Sequence, residues 1–109
     1  MTVSTHVLDA SAGRPAAGVA VSLSVAGSPG GWALVEPGET DGDGRHRFEV
    51  ATEPGTYRLA FGTEAYFAAR GVAAFYPEVT VTFTVTDPGV HYHVPLLLSP
   101  FAYSTYRGS

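Results

Sequence analysis

The chain has 109 residues, including 13 glycines, 8 prolines and no cysteine, and its formal net charge at pH 7 is −4. This length predicts a single domain over residues 1–109 that can bury a core without cross-links. Because cysteine is absent, disulfide scaffolds, zinc ribbons and thiol nucleophiles are excluded.

Charge and hydropathy narrow the class of protein further. The six cations are all arginines, scattered along a mildly acidic chain, which argues against a nucleic-acid partner. No apolar stretch approaches the roughly 18 residues that a membrane span needs, and the first residues lack the basic and apolar regions of a secretory signal. We therefore expect a cytoplasmic protein without a membrane partner.

Apolar segments alternate with glycine- and proline-rich turns in the first third of the chain, which is typical of an all-β sandwich or barrel. The first strand is predicted at Thr2–Asp9, with its turn at residues 11–15. Residues 18–26 alternate apolar and polar side chains and predict a half-buried strand. A turn at residues 28–31 and a short strand at residues 32–35 follow.

The middle of the chain continues this pattern of strands and turns. The acidic, glycine-rich residues 38–44 predict a loop, because such residues favour turns over ladders. A strand at Arg45–Val50, a turn at residues 52–55 and a strand at Thr56–Gly62 come next.

One short helix is predicted at residues 63–70, with Thr63 as its N-cap and Gly71 just past its end. About two turns are too few for an isolated helix, so it should pack on a sheet. Residues 78–86 then alternate valine or phenylalanine with threonine and predict a strand. With two further strands, at residues 91–98 and after residue 100, the chain is predicted to form seven or eight strands and one helix in two stacked sheets.

Side-chain parity separates a core face from a polar face, because successive residues of a strand point to opposite sides. The even positions near the end of the chain are all apolar and predict a core face: Val90, Tyr92, Val94, Leu96 and Leu98. The odd positions lie on the opposite face: His91, His93, Pro95 and Leu97. A proline lacks a ladder donor, so a local irregularity is expected in this strand.

The first strand shows the same division, with Val3 and Val7 facing inward and Ser4, His6 and Leu8 facing outward. Its outward face mixes histidine and serine with apolar residues instead of lysine and glutamate. Such a face predicts burial against another chain or a ligand.

Histidines on this face are the groups that titrate close to neutral pH: His6, His91 and His93. Any one of them could equally be a packing group at an interface. The His91-x-His93 pair also has the spacing of two metal ligands on a strand, but the spacing implies no third ligand, so we expect no metal site.

Arg45 follows an acidic turn and could be a surface residue that offsets nearby carboxylates. The same turn has the start of a calcium loop, but Thr52 stands where the bidentate glutamate would be required. The sequence contains no nucleophile elbow, P-loop or dinucleotide-binding glycine motif. The tail at Tyr106–Ser109 could be a frayed end, or the final strand could carry Arg107 and Ser109 to its end. Residue chemistry alone therefore favours a histidine-and-arginine site that could lie at a subunit interface.

Six segments along the chain carry a family resemblance: Thr5–Asp9, Gly13–Ala16, Thr40–Arg45, Phe75–Glu78, His91–Pro100 and Tyr103–Ser109. On these segments the chain closely resembles the 5-hydroxyisourate hydrolases, the enzymatic members of the transthyretin family. The Tyr-Arg-Gly-Ser ending is specific to the hydrolases within that family. The resemblance implies an eight-stranded sandwich with one short helix, assembled as a homotetrameric dimer of dimers around a channel that holds the active sites.

The resemblance also implies the site and its chemistry. The family's catalytic residues correspond to His6, Arg45 and His93, without a cofactor. The implied substrate-binding residues are those of the terminal segment: Tyr106, Arg107, Gly108 and Ser109. His91 is a further candidate for substrate binding, because it lies on the same face as His93. The implied reaction is hydrolytic opening of the six-membered ring of 5-hydroxyisourate in urate degradation.

The sequence leaves two alternatives to the hydrolase open. A transthyretin-like carrier would hold an aromatic small molecule without catalysis, but transthyretins have Lys, Glu and Thr at the positions of His6, Arg45 and His93. A purely structural sandwich would not be expected to gather titratable groups on one face. The imidazoles and the guanidinium favour the hydrolase over both.

Overall fold

A computed structural model describes residues 2–27, 29–49 and 53–109. The strands in chain order are β1 (Thr2–Asp9), β2 (Arg14–Pro15), β3 (Ala20–Ala26), β4 (Trp32–Glu39), β5 (Arg45–Glu49), β6 (Gly55–Phe61), β7 (Val79–Val85), β8 (Tyr92–His93), β9 (Leu96–Leu98) and β10 (Tyr103–Thr105), and helix α1 spans Thr63–Ala68. They form two sheets and confirm the predicted all-β sandwich with one short helix. The predictions at Ser28, Val50 and Thr52 lie outside the described residues.

Strand β1 is the centre of the first sheet, which has six strands. On one edge it pairs antiparallel with β5 and then with β2, and on the other edge it pairs parallel with β8 and then with β9. Strand β10 closes this sheet by antiparallel pairing with β9. Because β1 has partners on both edges, its outward side chains stand in the middle of a polar sheet face.

The second sheet contains four antiparallel strands in the order β4, β3, β6, β7. The apolar side chains of both sheets meet between them, as the alternating patterns of β1 and β3 predict. The largest fully buried side chains are Phe48, Phe61, Phe67, Leu23, Leu59, Leu96, Leu98, Val3, Val7, Val19, Val79 and Val85. Burial of this set anchors β1 and leaves its other face available for a site.

The segment predicted as one strand at residues 91–98 is divided in two at Pro95. Strand β8 ends at His93 and β9 begins at Leu96, because a proline has no N–H for the ladder. Pro95 is buried, not on the open face. Val90 was wrongly predicted in the core: it is 37% exposed and its N–H bonds the carbonyl of Asp87, so it belongs to the preceding turn.

Several element boundaries also differ from the sequence prediction. Strand β4 extends to Glu39, through two residues predicted as loop. Residues 14–15 pair with β1, although a turn was predicted there. The final strand is limited to β10, and the N-cap of α1 is Gly62. Thr63 is instead the first helical residue, and its hydroxyl donates to the carbonyl of Tyr76 (3.3 Å).

Helix α1 packs Tyr66 and Phe67 onto the sandwich. It ends at Ala68, two residues before the predicted end, and Gly71 follows in the turn with φ +69°. The Tyr66 hydroxyl donates to the buried carboxylate of Asp9 (2.8 Å), which ties the helix to the end of β1. Within the described parts of the chain, no helix has the length and apolar character that crossing a membrane requires.

Candidate active site

The outward face of the first sheet brings together the side chains predicted to carry chemistry. In the register of β1 and β5, His6 stands opposite Arg45 and Ser4 stands opposite Arg47. On the other edge of β1, Ser4 stands opposite His93 of β8. Residues opposite each other in a ladder share a sheet face, so these five side chains lie on one surface.

A tight turn before Arg45 fixes where that strand begins. Asp41 Oδ1 accepts hydrogen bonds from the backbone N–H groups of Arg45 (3.0 Å) and Asp43 (2.9 Å). These bonds lower the pKa of Asp41, so its carboxylate is ionised at neutral pH. Gly44 has φ +76°, and a Cβ there would lie 2.4 Å from the carbonyl oxygen of Val7, so this position requires glycine.

His6 is half-buried and is oriented by the same turn. Its Nε2 lies 2.9 Å from the carbonyl oxygen of Asp43. A carbonyl oxygen can only accept, so Nε2 is the donor. In the neutral ring, Nδ1 is therefore the nitrogen that remains free to accept a proton.

Two histidines and a serine form a compact hydrogen-bonded group beside His6. The Ser4 hydroxyl lies 2.7 Å from Nδ1 of His93 and 2.8 Å from Nε2 of His91. Nδ1 of His91 in turn contacts the hydroxyl of Thr2. The two rings are stacked, with 6.5 Å between their centroids and 19° between their planes.

His93 is the half-buried member of this group, whereas His91 is exposed. Burial lowers the pKa of His93, and the nearby charges of His91, Arg45 and His6 lower it further. An imidazole ordinarily titrates near pH 6.5, so His93 is neutral at pH 7. A neutral ring is the form that can accept a proton from water.

The C-terminal tail returns to this group. The N–H of Gly108 donates to the carbonyl of His93 (2.8 Å), which forms an isolated antiparallel bridge. Gly108 fits there because a Cβ would lie 2.4 Å from Cδ2 of the His93 ring. The bridge places Ser109 at the site.

These residues line a pocket of about 390 Å³ on the outward sheet face, within the range of small-molecule sites. Its lining consists of Ser4, Thr5, Asp41, Arg45, His46, Arg47, His91, His93 and Ser109. His6 stands beside this pocket, two residues along β1 from Ser4. The sequence prediction of a shared site is thus matched in position by Arg45, His91, His93 and Ser109.

Tyr106 and Arg107 lie elsewhere, in a second pocket of about 310 Å³. There the Arg107 guanidinium lies 5.1 Å from the ring centroid of Tyr92, and Phe83 also lines this pocket. His93 lines both pockets and so stands between them. The predicted substrate-binding tail is therefore divided, with only its last residues at the histidines.

Five polar residues of the first pocket received no role in the sequence analysis: Ser4, Thr5, Asp41, His46 and Arg47. Parity had already placed Ser4 on the same face as His6. Its contact with the two histidines depends on the β1–β8 pairing, which joins residues 89 positions apart and leaves no local signal.

Side chains that ligate metals do not cluster in the part of the chain that the structure describes. Residues 2–27, 29–49 and 53–109 contain no group of three histidine, cysteine, aspartate or glutamate side chains that could hold an ion. Imidazole, hydroxyl and guanidinium groups are instead suited to proton transfer and to binding a polar, carbonyl-rich molecule.

Comparison with known proteins agrees with both the fold and the residues. The chain is 46% identical to a 5-hydroxyisourate hydrolase of Salmonella dublin over 98% of this chain and 80% of that protein. It superposes on the structure of a Klebsiella pneumoniae 5-hydroxyisourate hydrolase with a TM-score of 0.88 and 39% identity, covering 100% of both chains. It also resembles sea bream transthyretin in complex with thyroxine, with a TM-score of 0.91, 34% identity and coverage of 97% and 93%.

The fold and the site define a two-sheet β-sandwich with a histidine- and arginine-lined pocket on one sheet face. The chain belongs to the HIUase/Transthyretin family, whose sequence profile matches residues 3–108. Within this family, hydrolases and transthyretin share the fold, so the side chains in the pocket decide between them.

Proposed function

We propose that this protein is a 5-hydroxyisourate hydrolase, which opens the six-membered ring of its substrate to give 2-oxo-4-hydroxy-4-carboxy-5-ureidoimidazoline in urate degradation. The observation that carries this proposal is the gathering of His93, His91 and Arg45 around one pocket, with His6 beside it. The hydrolases of Salmonella dublin and Klebsiella pneumoniae, which the chain resembles over nearly its whole length, support it.

The reaction begins with attack of water on the C6 carbonyl. His93 is neutral because its pKa is lowered, chiefly by burial, and it serves as the base that takes the water proton. As the new C–O bond forms, negative charge develops on the carbonyl oxygen. Arg45 stabilises this oxyanion, a contribution of roughly 3–4 kcal/mol per donor in other acyl-transfer enzymes.

Collapse of the tetrahedral intermediate breaks the ring C–N bond. The departing nitrogen must gain a proton. His6 is placed to deliver one from Nδ1 when its ring is the imidazolium, or to orient the water when its ring is neutral. Ser109, at the same pocket, binds the substrate together with His91. Tyr106, Arg107 and Gly108 hold the tail in place, Gly108 through its bridge to His93.

Substitution of the two histidines tests this assignment. Separate His6→Ala and His93→Ala variants should each lose about 10²- to 10⁴-fold in turnover of freshly generated 5-hydroxyisourate, the usual contribution of general acid–base catalysis. Circular dichroism and thermal melting would verify that each variant is folded. A folded variant with near-normal turnover would remove that histidine from the mechanism.

The assembly is also a proposal, based on the family resemblance. In a homotetrameric dimer of dimers, a second copy of the chain would cover the open side of the pocket, and the two copies would enclose a channel. Analytical ultracentrifugation should then give a mass four times the 11.4 kDa of one chain. A monomer that turns over substrate would contradict the channel without affecting the assigned residues. The single domain and the cytoplasmic location stay predictions.

A further inference from the structure

The Ser4 hydroxyl occupies an unusual position between two imidazole nitrogens. It lies 2.7 Å from Nδ1 of His93 and 2.8 Å from Nε2 of His91. The serine backbone is fixed as well, because its carbonyl accepts the N–H of Val94 (2.9 Å). The oxygen is therefore held in place between the rings by β1, without help from a flexible loop.

A hydroxyl has one proton to donate and lone pairs to accept with. Within the described residues, the Ser4 hydroxyl contacts no acceptor other than these two nitrogens. If both rings are neutral, Ser4 donates to one and accepts from the other. The tautomer of His93 and the tautomer of His91 are then linked, because reversing one reverses the other.

The two arrangements give His93 different chemistry. When Ser4 accepts from Nδ1 of His93, the Nε2 lone pair of that ring is free and His93 is a base. When Ser4 donates to Nδ1, Nε2 carries the proton and His93 is an acid. Nε2 makes no hydrogen bond to the parts of the chain that the structure describes, so it is the nitrogen available to substrate or water.

We propose that Ser4 is a positioning residue that couples the tautomers of His93 and His91 and passes a proton from the half-buried ring to the exposed one. The inference rests on the proposed hydrolysis of 5-hydroxyisourate. It adds a role for Ser4 and assigns His91 as the final proton acceptor.

The proton balance of this step is complete. Water adds to the carbonyl carbon and gives its proton to Nε2 of His93. Nδ1 of His93 releases its proton to Ser4 Oγ, while the Ser4 hydroxyl proton moves to Nε2 of His91. His93 and Ser4 end neutral and His91 ends as an imidazolium, so the positive charge of the lost water proton is carried by an exposed group.

The surroundings favour this direction of transfer. A positive charge on His93 would be half-buried and would face Arg45 and His6, whereas His91 is open to water. Nδ1 of His91 has the Thr2 hydroxyl as its partner, so the imidazolium keeps a hydrogen bond at each nitrogen. Charged groups are less costly where solvent can reach them.

Ser4→Thr and Ser4→Val form a matched pair for testing this role. Both are β-branched residues of similar shape that suit a strand, and valine has a methyl group where threonine has the hydroxyl. In ¹⁵N-detected NMR of the histidine rings without substrate, wild type and Ser4→Thr should show one dominant tautomer for His93. Ser4→Val should move its two ring-nitrogen shifts toward the average of the tautomers. Unchanged His93 shifts in folded Ser4→Val would overturn the proposal.

Kinetics supply a second readout on the same variants. Ser4→Val should lower kcat by roughly 10- to 100-fold, as the loss of an orienting partner does at other sites, while KM changes by less than about twofold. Ser4→Thr should recover most of kcat. Equal losses in both variants, or full activity in Ser4→Val, would contradict the proposal. An inactive wild type would instead contradict the hydrolase assignment, and the NMR comparison would still decide whether Ser4 couples the rings.

Discussion

Gly108 offers the sharpest test of the geometry because it lies against the ring of His93. A Cβ at this position would lie 2.4 Å from Cδ2 of His93, roughly 1 Å closer than carbon atoms normally approach. The ring cannot turn away freely, since Ser4 holds its Nδ1 at 2.7 Å. In Gly108→Ala, either the imidazole or the tail that carries Ser109 must therefore move by about 1 Å.

A displacement of about 1 Å at a reacting group can cost around 10²-fold in rate. We therefore expect Gly108→Ala to reduce kcat/KM for 5-hydroxyisourate by about that factor, with the melting temperature nearly unchanged because the tail is at the surface. Gly31→Ala is the matched control, since a Cβ there meets nothing within 4 Å. Wild-type kcat/KM in Gly108→Ala, measured by the ultraviolet decay of the substrate, would refute the reasoning.

Three further outcomes concern stability and pH. Tyr66→Phe should lower the free energy of unfolding in urea by about 1.5–3 kcal/mol at pH 7, because it removes a hydrogen bond to the buried carboxylate of Asp9. Burial raises the pKa of Asp9, but the hydrogen bonds to its carboxylate outweigh burial and lower that pKa overall. The stabilisation by the ionised carboxylate is therefore fully present above the pKa of an unfolded aspartate, about 3.9. The penalty should then shrink as the pH falls through the lowered value, and a constant penalty down to pH 2 would contradict this. Gly44→Ala should lower the free energy of unfolding by about 2 kcal/mol or more, because φ is +76° and the new Cβ would meet the carbonyl of Val7. Backbone strain of this kind costs about 1–3 kcal/mol, so a loss below about 0.5 kcal/mol would contradict the prediction. Because burial lowers the pKa of His93, the acid limb of the kcat/KM profile should fall below the ordinary imidazole value of about 6.5, and an inflection above it would exclude His93 as the base.

Strands with strict alternation could be predicted from the sequence because burial imposes a period of two. In β1 buried and half-buried positions alternate over the whole element, and in β7 threonine alternates with valine or phenylalanine. The structure confirms the inward valines of both strands: Val3, Val7, Val79 and Val85. The same arithmetic placed Ser4 and His6 on the outward face. The polar face was therefore predictable from single strands.

Strand ends and pairings were less predictable. Val90 continues the apolar alternation but lies in a turn, because alternation does not show where the ladder hydrogen bonds begin. Strand β4 continues to Glu39 because Gly38 and Glu39 pair with β3. The His46 ring packs against Gly38, where a Cβ would lie 2.3 Å from Nε2 of that ring. Such contacts join distant parts of the chain and have no signature in the local sequence.

The site was predictable as a set of residues but not as an arrangement. The family resemblance named His6, Arg45 and His93 together with the whole tail. The structure separates Arg107, which lines the pocket with Tyr92, from Ser109, which lines the pocket with the histidines. The link through the Ser4 hydroxyl required the register of β1 against β8.

Turnover of 5-hydroxyisourate by the unmodified protein tests the central claim most directly. Urate oxidase would generate the substrate in place, and its ultraviolet absorbance would be followed with the protein at a small fraction of the substrate concentration. A hydrolase should remove all of the substrate over many turnovers, faster than the spontaneous decay. Decay at the spontaneous rate would contradict the assignment. Protection of no more than one equivalent of substrate would also contradict it and would favour a carrier.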